Sequence, residues 1–153
     1  MHTRKNCLIC DRIRLIWENR NPYFVCELET GYVVIGDHQF FRGYTLFLCK
    51  IHKRELHELE LGFRKQFLWE MSEIASAVSQ VFQPDKLNYE LLGNTDEHMH
   101  WHLFPRSTND PEPKKSVWSI DERIRCAEST RHTATEIKEM KTALCARLNC
   151  KHK

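Results

Sequence analysis

The stretch His98-Met99-His100-Trp101-His102-Leu103-Phe104 decides how this 153-residue chain is read. Successive side chains of an extended strand point to opposite faces. Histidines 98, 100 and 102 are therefore expected to line one face, with Met99, Trp101 and Leu103 turned to a core on the other. A lone histidine is usually a satisfied structural residue. Three in strict alternation point to chemistry, because imidazole serves both nucleophilic attack and proton transfer near neutral pH. Metal ligation is a second use for such a row, but side chains at i and i+4 of a strand stand about 13 Å apart at the backbone, too far to close on one ion. An adjacent pair could hold a metal with outside ligands, and no HExxH helix or HxHxDH run offers them.

Upstream of the histidines, residues 87–92 fit a strand and Gly93-Asn94-Thr95-Asp96-Glu97 a loop, while the histidine strand is expected to end at Pro105. Between residues 62 and 82, Phe63, Phe67, Met71, Ile74, Val78 and Phe82 recur at steps of three or four, one stripe of a helix. That helix must stop near Gln83-Pro84, because proline disfavours helical geometry at the residue before it. Residues 23–28 and 32–35 read as two strands joined by Glu29-Thr30-Gly31, and residues 44–49 as a third strand after Arg42-Gly43. Strands before and after a long helix predict an α+β domain, an antiparallel sheet of about five strands with the helix packed on it. Residues 107–115 are polar and proline-rich, the composition of an exposed loop. A last helix is expected near Thr133, where Thr133 and Glu136 have capping-box spacing, with Ile137, Met140, Leu144 and Leu148 on one side. That stripe needs a partner, either its own sheet or a second subunit. The chain thus divides into a domain over residues 1–106 and an extension of the same domain, loop plus C-terminal helix, over residues 107–153.

Composition narrows the function classes. Hydrophobic residues make up 41% and charged residues 29%, and no apolar run approaches the ~20 residues of a membrane span. The segment after the basic start, Cys7-Leu8-Ile9-Cys10-Asp11-Arg12, is too short and polar for a signal-peptide core. Seven cysteines, an odd number scattered through core and helix segments, suit a reduced cytoplasm. A net charge of +2 is too small for a nucleic-acid-binding face, and Lys114-Lys115 and the Lys151-His152-Lys153 tail read as solvated charge. Trp17, Trp69 and Trp118 are read as packing or rim residues, and His57, His132 and His152 as solvent-facing.

The run from Leu92 to Arg106 resembles the signature of the histidine-triad (HIT) family of nucleotide hydrolases and transferases, bacterial HIT-type diadenosine tetraphosphate hydrolases among them. Cys7-Leu8-Ile9-Cys10 resembles the N-terminal CxxC of many members. Phe41-Arg42-Gly43-Tyr44 and Lys50-Ile51-His52 resemble their second and third strands and the turn into the helix. The resemblance implies a HIT-like fold, a chemistry in which His100 attacks the α-phosphorus to give a covalent nucleotidyl-histidine, and a homodimer. It makes His102 the contact to phosphate oxygens, His98 a supporting residue, Asn94 a polar contact to the phosphate or leaving group, and Asp37 the contact to ribose. Arg106, beside the triad's end, is a further candidate for phosphate, with an exposed strand-end arginine as the alternative. Where several members carry another histidine after the turn glycine, this chain has Tyr44, so a four-histidine site is not expected. His102 in third place resembles the hydrolase branches and not the nucleotidyl-transferases.

Cys7 and Cys10 form half of a tetrahedral zinc site. The resemblance completes it with His52 and His98. Such a zinc would be structural, since four protein ligands leave no position for water, and catalysis would need no cofactor. The other reading makes both cysteines ordinary buried thiols. The expected function is hydrolysis of dinucleoside polyphosphates or nucleoside phosphoramidates. Its alternatives are a non-catalytic nucleotide- or zinc-binding interaction protein, for which Asp96-Glu97 beside the triad speaks, and a metal-dependent hydrolase.

Overall fold

The computed structural model describes residues 6–148 and Cys150; residues 1–5 and the Lys151-His152-Lys153 tail lie outside the described residues. Its strands are β1 (Phe24–Glu27), β2 (Gly31–Ile35), β3 (Thr45–Cys49), β4 (Lys86–Glu90) and β5 (His100–Arg106). They form one sheet in the order β1-β2-β3-β5-β4, every neighbouring pair antiparallel. The helices are α1 (Leu8–Trp17), α2 (Leu61–Phe82), a single turn α3 (Glu122–Arg125) and α4 (Ala134–Arg147).

Alternation along the strands divides the sheet into two faces. Val33, Ile35, Phe47, Cys49 and Leu103 join the main core beneath α2 and α4, and Trp101 packs against the same core. The α2 stripe behaves as its spacing requires: Phe67, Ile74 and Val78 are fully buried, while Phe63, Met71 and Phe82 pack around them. Glu60 caps the helix by accepting from the Gly62 and Phe63 amides, and Gln83 ends it in the left-handed region at φ 50°, ahead of Pro84. Within the helix, Glu70 is buried because its carboxylate accepts from the amides of Glu29 (2.7 Å) and Thr30 (2.9 Å) and from the Thr30 hydroxyl. It thereby ties α2 to the β1-β2 turn.

The capping box of α4 forms between Thr133 and Glu136. Its stripe, Ile137, Met140 and Leu144, enters the main core with Leu148 packed against it, so the C-terminal helix covers its own sheet.

The segment that begins with the Cys7/Cys10 pair is also a helix, α1. Its residues Ile9, Cys10, Ile13 and Ile16 recur at helical steps and pack with Tyr32, Val34 and Leu48 on the opposite face of the sheet. Covered on both sides, β2 is buried at every position and loses the alternation of a half-exposed strand. The bounds of the histidine strand also differ from expectation. Strand β5 starts at His100, so His98 precedes it, and it continues through Pro105 to Arg106. Pairing with β3 ends at Leu103, which leaves Pro105 where β4 is the sole neighbour, an edge setting that tolerates proline.

Beyond β5, Val117 and Ile120 pack on Phe41 and Phe104, and the Gln39 amide donates to the Thr130 carbonyl at 2.8 Å. Residues 107–133 thus fold back over the sheet face that carries His100 and His102. No helix among the described residues is long and apolar enough to cross a membrane.

Candidate active site

The β3-β5 register sets Leu48 opposite His100 and Leu46 opposite His102. Both imidazoles rise from the face shared with α1, with ring centroids 4.6 Å apart. They line a cleft of about 440 Å³ whose walls include Ile9 and Arg12 of α1, Asp37, Tyr44 and Trp118. An adjoining cleft of about 310 Å³ is lined by the same two histidines with Asn94, Thr95, Asp96 and Trp118.

The tautomer of His100 follows from its surroundings. Nδ1 lies 2.7 Å from the His98 carbonyl oxygen, which can only accept, so Nδ1 carries the proton and Nε2 keeps its lone pair. Burial lowers the His100 pKa, the His98 carbonyl and Asp96 pulling weakly the other way, and the ring is held neutral. His102 is pushed down to about 3, chiefly by burial and then by His100. Its Nδ1 meets the Tyr44 hydroxyl at 2.6 Å. The Tyr44 pKa is raised, by burial first and Asp37 second, so the phenol keeps its proton.

His98 lines neither cleft. Its ring is buried on the same face, against the start of α1, where burial lowers its pKa to about 4. Nδ1 stands 3.3 Å from Cys10 Sγ and 3.7 Å from Cys7 Sγ, and Cys10 Sγ is 3.3 Å from His52 Nδ1. The ligand atoms of Cys7, Cys10, His52 and His98 all lie within 4.8 Å of one another. A zinc tetrahedron with bonds of about 2.3 Å to sulfur and 2.0–2.1 Å to nitrogen has mixed edges of about 3.5 Å, so the donor set fits this ion. The local fold explains the gathering. Cys7 caps α1 and Cys10 follows one turn on, its amide donating to Cys7 Sγ at 3.4 Å. His98 Nε2 donates to the Cys49 carbonyl at 2.8 Å, leaving Nδ1 bare toward the sulfurs, the outer-shell arrangement usual for ligating histidines.

The three residues expected to meet substrate fare differently. Asp37 reaches the larger cleft, but both its oxygens are held by Arg12, at 2.7 and 2.5 Å. Asn94 borders the smaller cleft. Arg106 lies outside both clefts and is not the exposed strand-end arginine of the alternative. Its guanidinium bonds Asp110 (2.8 Å), Asn88 (3.2 Å) and the Lys115 carbonyl (3.0 Å) and stacks over Phe41 at 4.7 Å, because the 107–115 loop curls back to cover it. Sequence reasoning also missed contributors. Trp118, read as packing or rim, stands edge-to-face with His102 at 5.8 Å and carries Arg125 over its ring at 4.8 Å. Arg12 had no signal beyond its place one turn after Ile9. Tyr44 was visible as a departure from the family pattern, without a role. His57 is exposed as expected, whereas His132 is half-buried beside Glu136 at 3.3 Å, and His152 lies outside the described residues.

An antiparallel α+β sheet presenting paired imidazoles in a cleft, beside a cysteine-histidine cluster, defines a class of folds built around strand-borne histidines. The HIT domain matches residues 22–109, more than half of the chain, and the protein belongs to the HIT domain family. Among curated relatives, "Protein hit" of Bacillus subtilis (strain 168) is 29% identical over 111 residues, covering 69% of this chain and 74% of that protein. Solved structures share the fold. A histidine triad protein from Bradyrhizobium japonicum superposes with a TM-score of 0.72 at 23% identity, over 81% of this chain and 88% of the other. A zinc-bound histidine triad family protein from Mycobacterium smegmatis gives 0.65 at 22% identity, over 94% and 96%. Plasmodium falciparum diadenosine triphosphate hydrolase gives 0.57 at 13% identity, over 84% and 77%.

Proposed function

We propose that the protein is a nucleotide hydrolase in which His100 attacks the α-phosphorus of a dinucleoside polyphosphate or a nucleoside phosphoramidate. The observation that carries this reading is the bond from His100 Nδ1 to the His98 carbonyl, which leaves a neutral ring with Nε2 available on the cleft side. As the Nε2–P bond forms, the bond from phosphorus to the leaving group breaks, and the leaving group departs as a nucleotide anion or, from a phosphoramidate, as an amine that takes its proton from solvent. The ring becomes cationic, and its Nδ1–H remains bonded to a carbonyl dipole that stabilises the new charge. Water then attacks phosphorus and gives a proton to solvent, the P–N bond breaks, and nucleoside monophosphate leaves with Nε2 restored. His102 contributes a second imidazole that contacts the phosphate oxygens, and the apolar wall of Ile9, Val34 and Phe41 suits a nucleoside face. Cys7, Cys10, His52 and His98 would hold zinc, which there supplies structural cross-linking and not an open coordination position.

His100→Asn should abolish turnover of diadenosine tetraphosphate and of adenosine phosphoramidate while leaving the thermal transition in place. A brief acid-free quench of the parent enzyme should show a protein adduct heavier by one nucleoside monophosphate, absent in the variant. Near-parental rates in His100→Asn would overturn the covalent mechanism.

A further inference from the structure

We infer that Tyr44 is a positioning residue that fixes His102 in its Nε2–H tautomer, so that His102 offers the cleft a hydrogen-bond donor and not a second nucleophile. The inference deepens the hydrolase reading above and rests on it for its catalytic consequence.

Three observations carry it. First, the Tyr44 hydroxyl and His102 Nδ1 are 2.6 Å apart, and among the described residues this is the hydroxyl's one hydrogen-bond partner. A phenol that keeps its proton must find an acceptor when buried, and the acceptor in reach is an unprotonated Nδ1. With Nδ1 accepting, the proton of the neutral imidazole sits on Nε2, which has no hydrogen-bond partner among the described residues while the ring lines both clefts. His100 shows the opposite pattern, its Nδ1–H donating to the His98 carbonyl. The two neighbouring rings are therefore set differently, one with a lone pair at Nε2 and one with a proton there.

Second, the phenol is held by the fold and is not free to swing away. The Tyr44 ring stacks on Phe104 at 4.1 Å and 9°, parallel to His102 at 7°. Buried Gln39 clamps the backbone on either side, its Nε2 donating to the carbonyls of Gly36 (2.8 Å) and Tyr44 (2.9 Å) and its Oε1 accepting from the Gly43 amide (2.8 Å). Third, room for this ring is built in: a Cβ at Gly36 would lie 2.2 Å from the Tyr44 ring. The donor at Nε2 is the form suited to phosphate oxygens, which only accept.

The test is the nitrogen spectrum of the full-length, labelled protein near neutral pH, with His102 signals identified as those lost in His102→Gln. In the parent, His102 Nε2 should resonate as a protonated nitrogen and Nδ1 as a bare one; in Tyr44→Phe, which keeps the stacked ring, both should move toward a mixture of tautomers with the remaining histidine signals unchanged. A protonated Nδ1 in the parent, or an identical His102 pattern in Tyr44→Phe, overturns the inference. With adenosine phosphoramidate, Tyr44→Phe should lower kcat by about tenfold to a hundredfold with KM within about twofold, the loss expected when one hydrogen bond that acts on a developing charge is removed. An unchanged kcat removes the catalytic consequence. Absence of turnover by the parent would instead sink the hydrolase reading, while the nitrogen spectra would still decide the tautomer.

Discussion

Removing metal from the cysteine-histidine cluster tests the link between scaffold and cleft. Cys10 Sγ is the corner shared by two edges of the cluster, 3.3 Å to His52 and 3.3 Å to His98, so Cys10→Ala leaves the 3.7 Å contact of Cys7 with His98 as the one remaining sulfur-nitrogen edge of these three. Protein purified without chelators should carry about one equivalent of zinc, and Cys10→Ala far less. With free zinc about a thousandfold above its dissociation constant, binding stabilises the fold by about 4 kcal/mol. For a chain of this size each kcal/mol moves Tm by about 2–4 °C, so chelation should lower Tm by about 8–16 °C. The effect should reach the cleft, because the residue whose Nδ1 faces the sulfurs also presents the carbonyl that holds His100 Nδ1 at 2.7 Å. Chelation should therefore reduce turnover by about tenfold to a hundredfold without exposing the main core. Elemental analysis and calorimetry on the same sample read both effects. Less than about half an equivalent of zinc in the parent, or a Tm indifferent to chelation, would refute the reasoning.

Two further outcomes follow from burial. His102, depressed to about 3 from an ordinary 6.5, is protonated more readily in the unfolded chain, so its contribution to stability is complete above pH 6.5 and is lost as pH falls toward 3. Tm measured across that window should fall less steeply in His102→Gln than in the parent, and equal slopes would contradict the assignment. Glu70→Ala strips the acceptor from the Glu29 and Thr30 amides at 2.7 and 2.9 Å. It should cost about 3 kcal/mol in urea unfolding, and a loss below about 1 kcal/mol would show that water replaces the carboxylate.

Sequence alone determined whatever repeats at a fixed local period. The α2 stripe, the capping box of α4 and the alternation of β5 are patterns set by backbone geometry, and they give the sheet, its covering helices and the presence of His100 and His102 on one side. The same local logic placed the boundary of the strand two residues early, yet His98 still faces α1, on the side of His100, while Met99 enters the opposite core. At α1 the helical steps of Ile9, Ile13 and Ile16 are interleaved with charged Asp11, Arg12 and Arg14, and their burial depends on the sheet face they cover. Burial of Arg106 and the arrival of Trp118 and Arg12 at the cleft were decided by tertiary structure. Those residues meet partners from distant parts of the chain, and local periodicity carries no information about which segments fold back onto one another. The tautomers of the two cleft histidines belong to the same category: each is fixed by a single contact, one to a carbonyl of the adjoining turn and one to a phenol brought from 58 positions away by the pairing of β3 with β5.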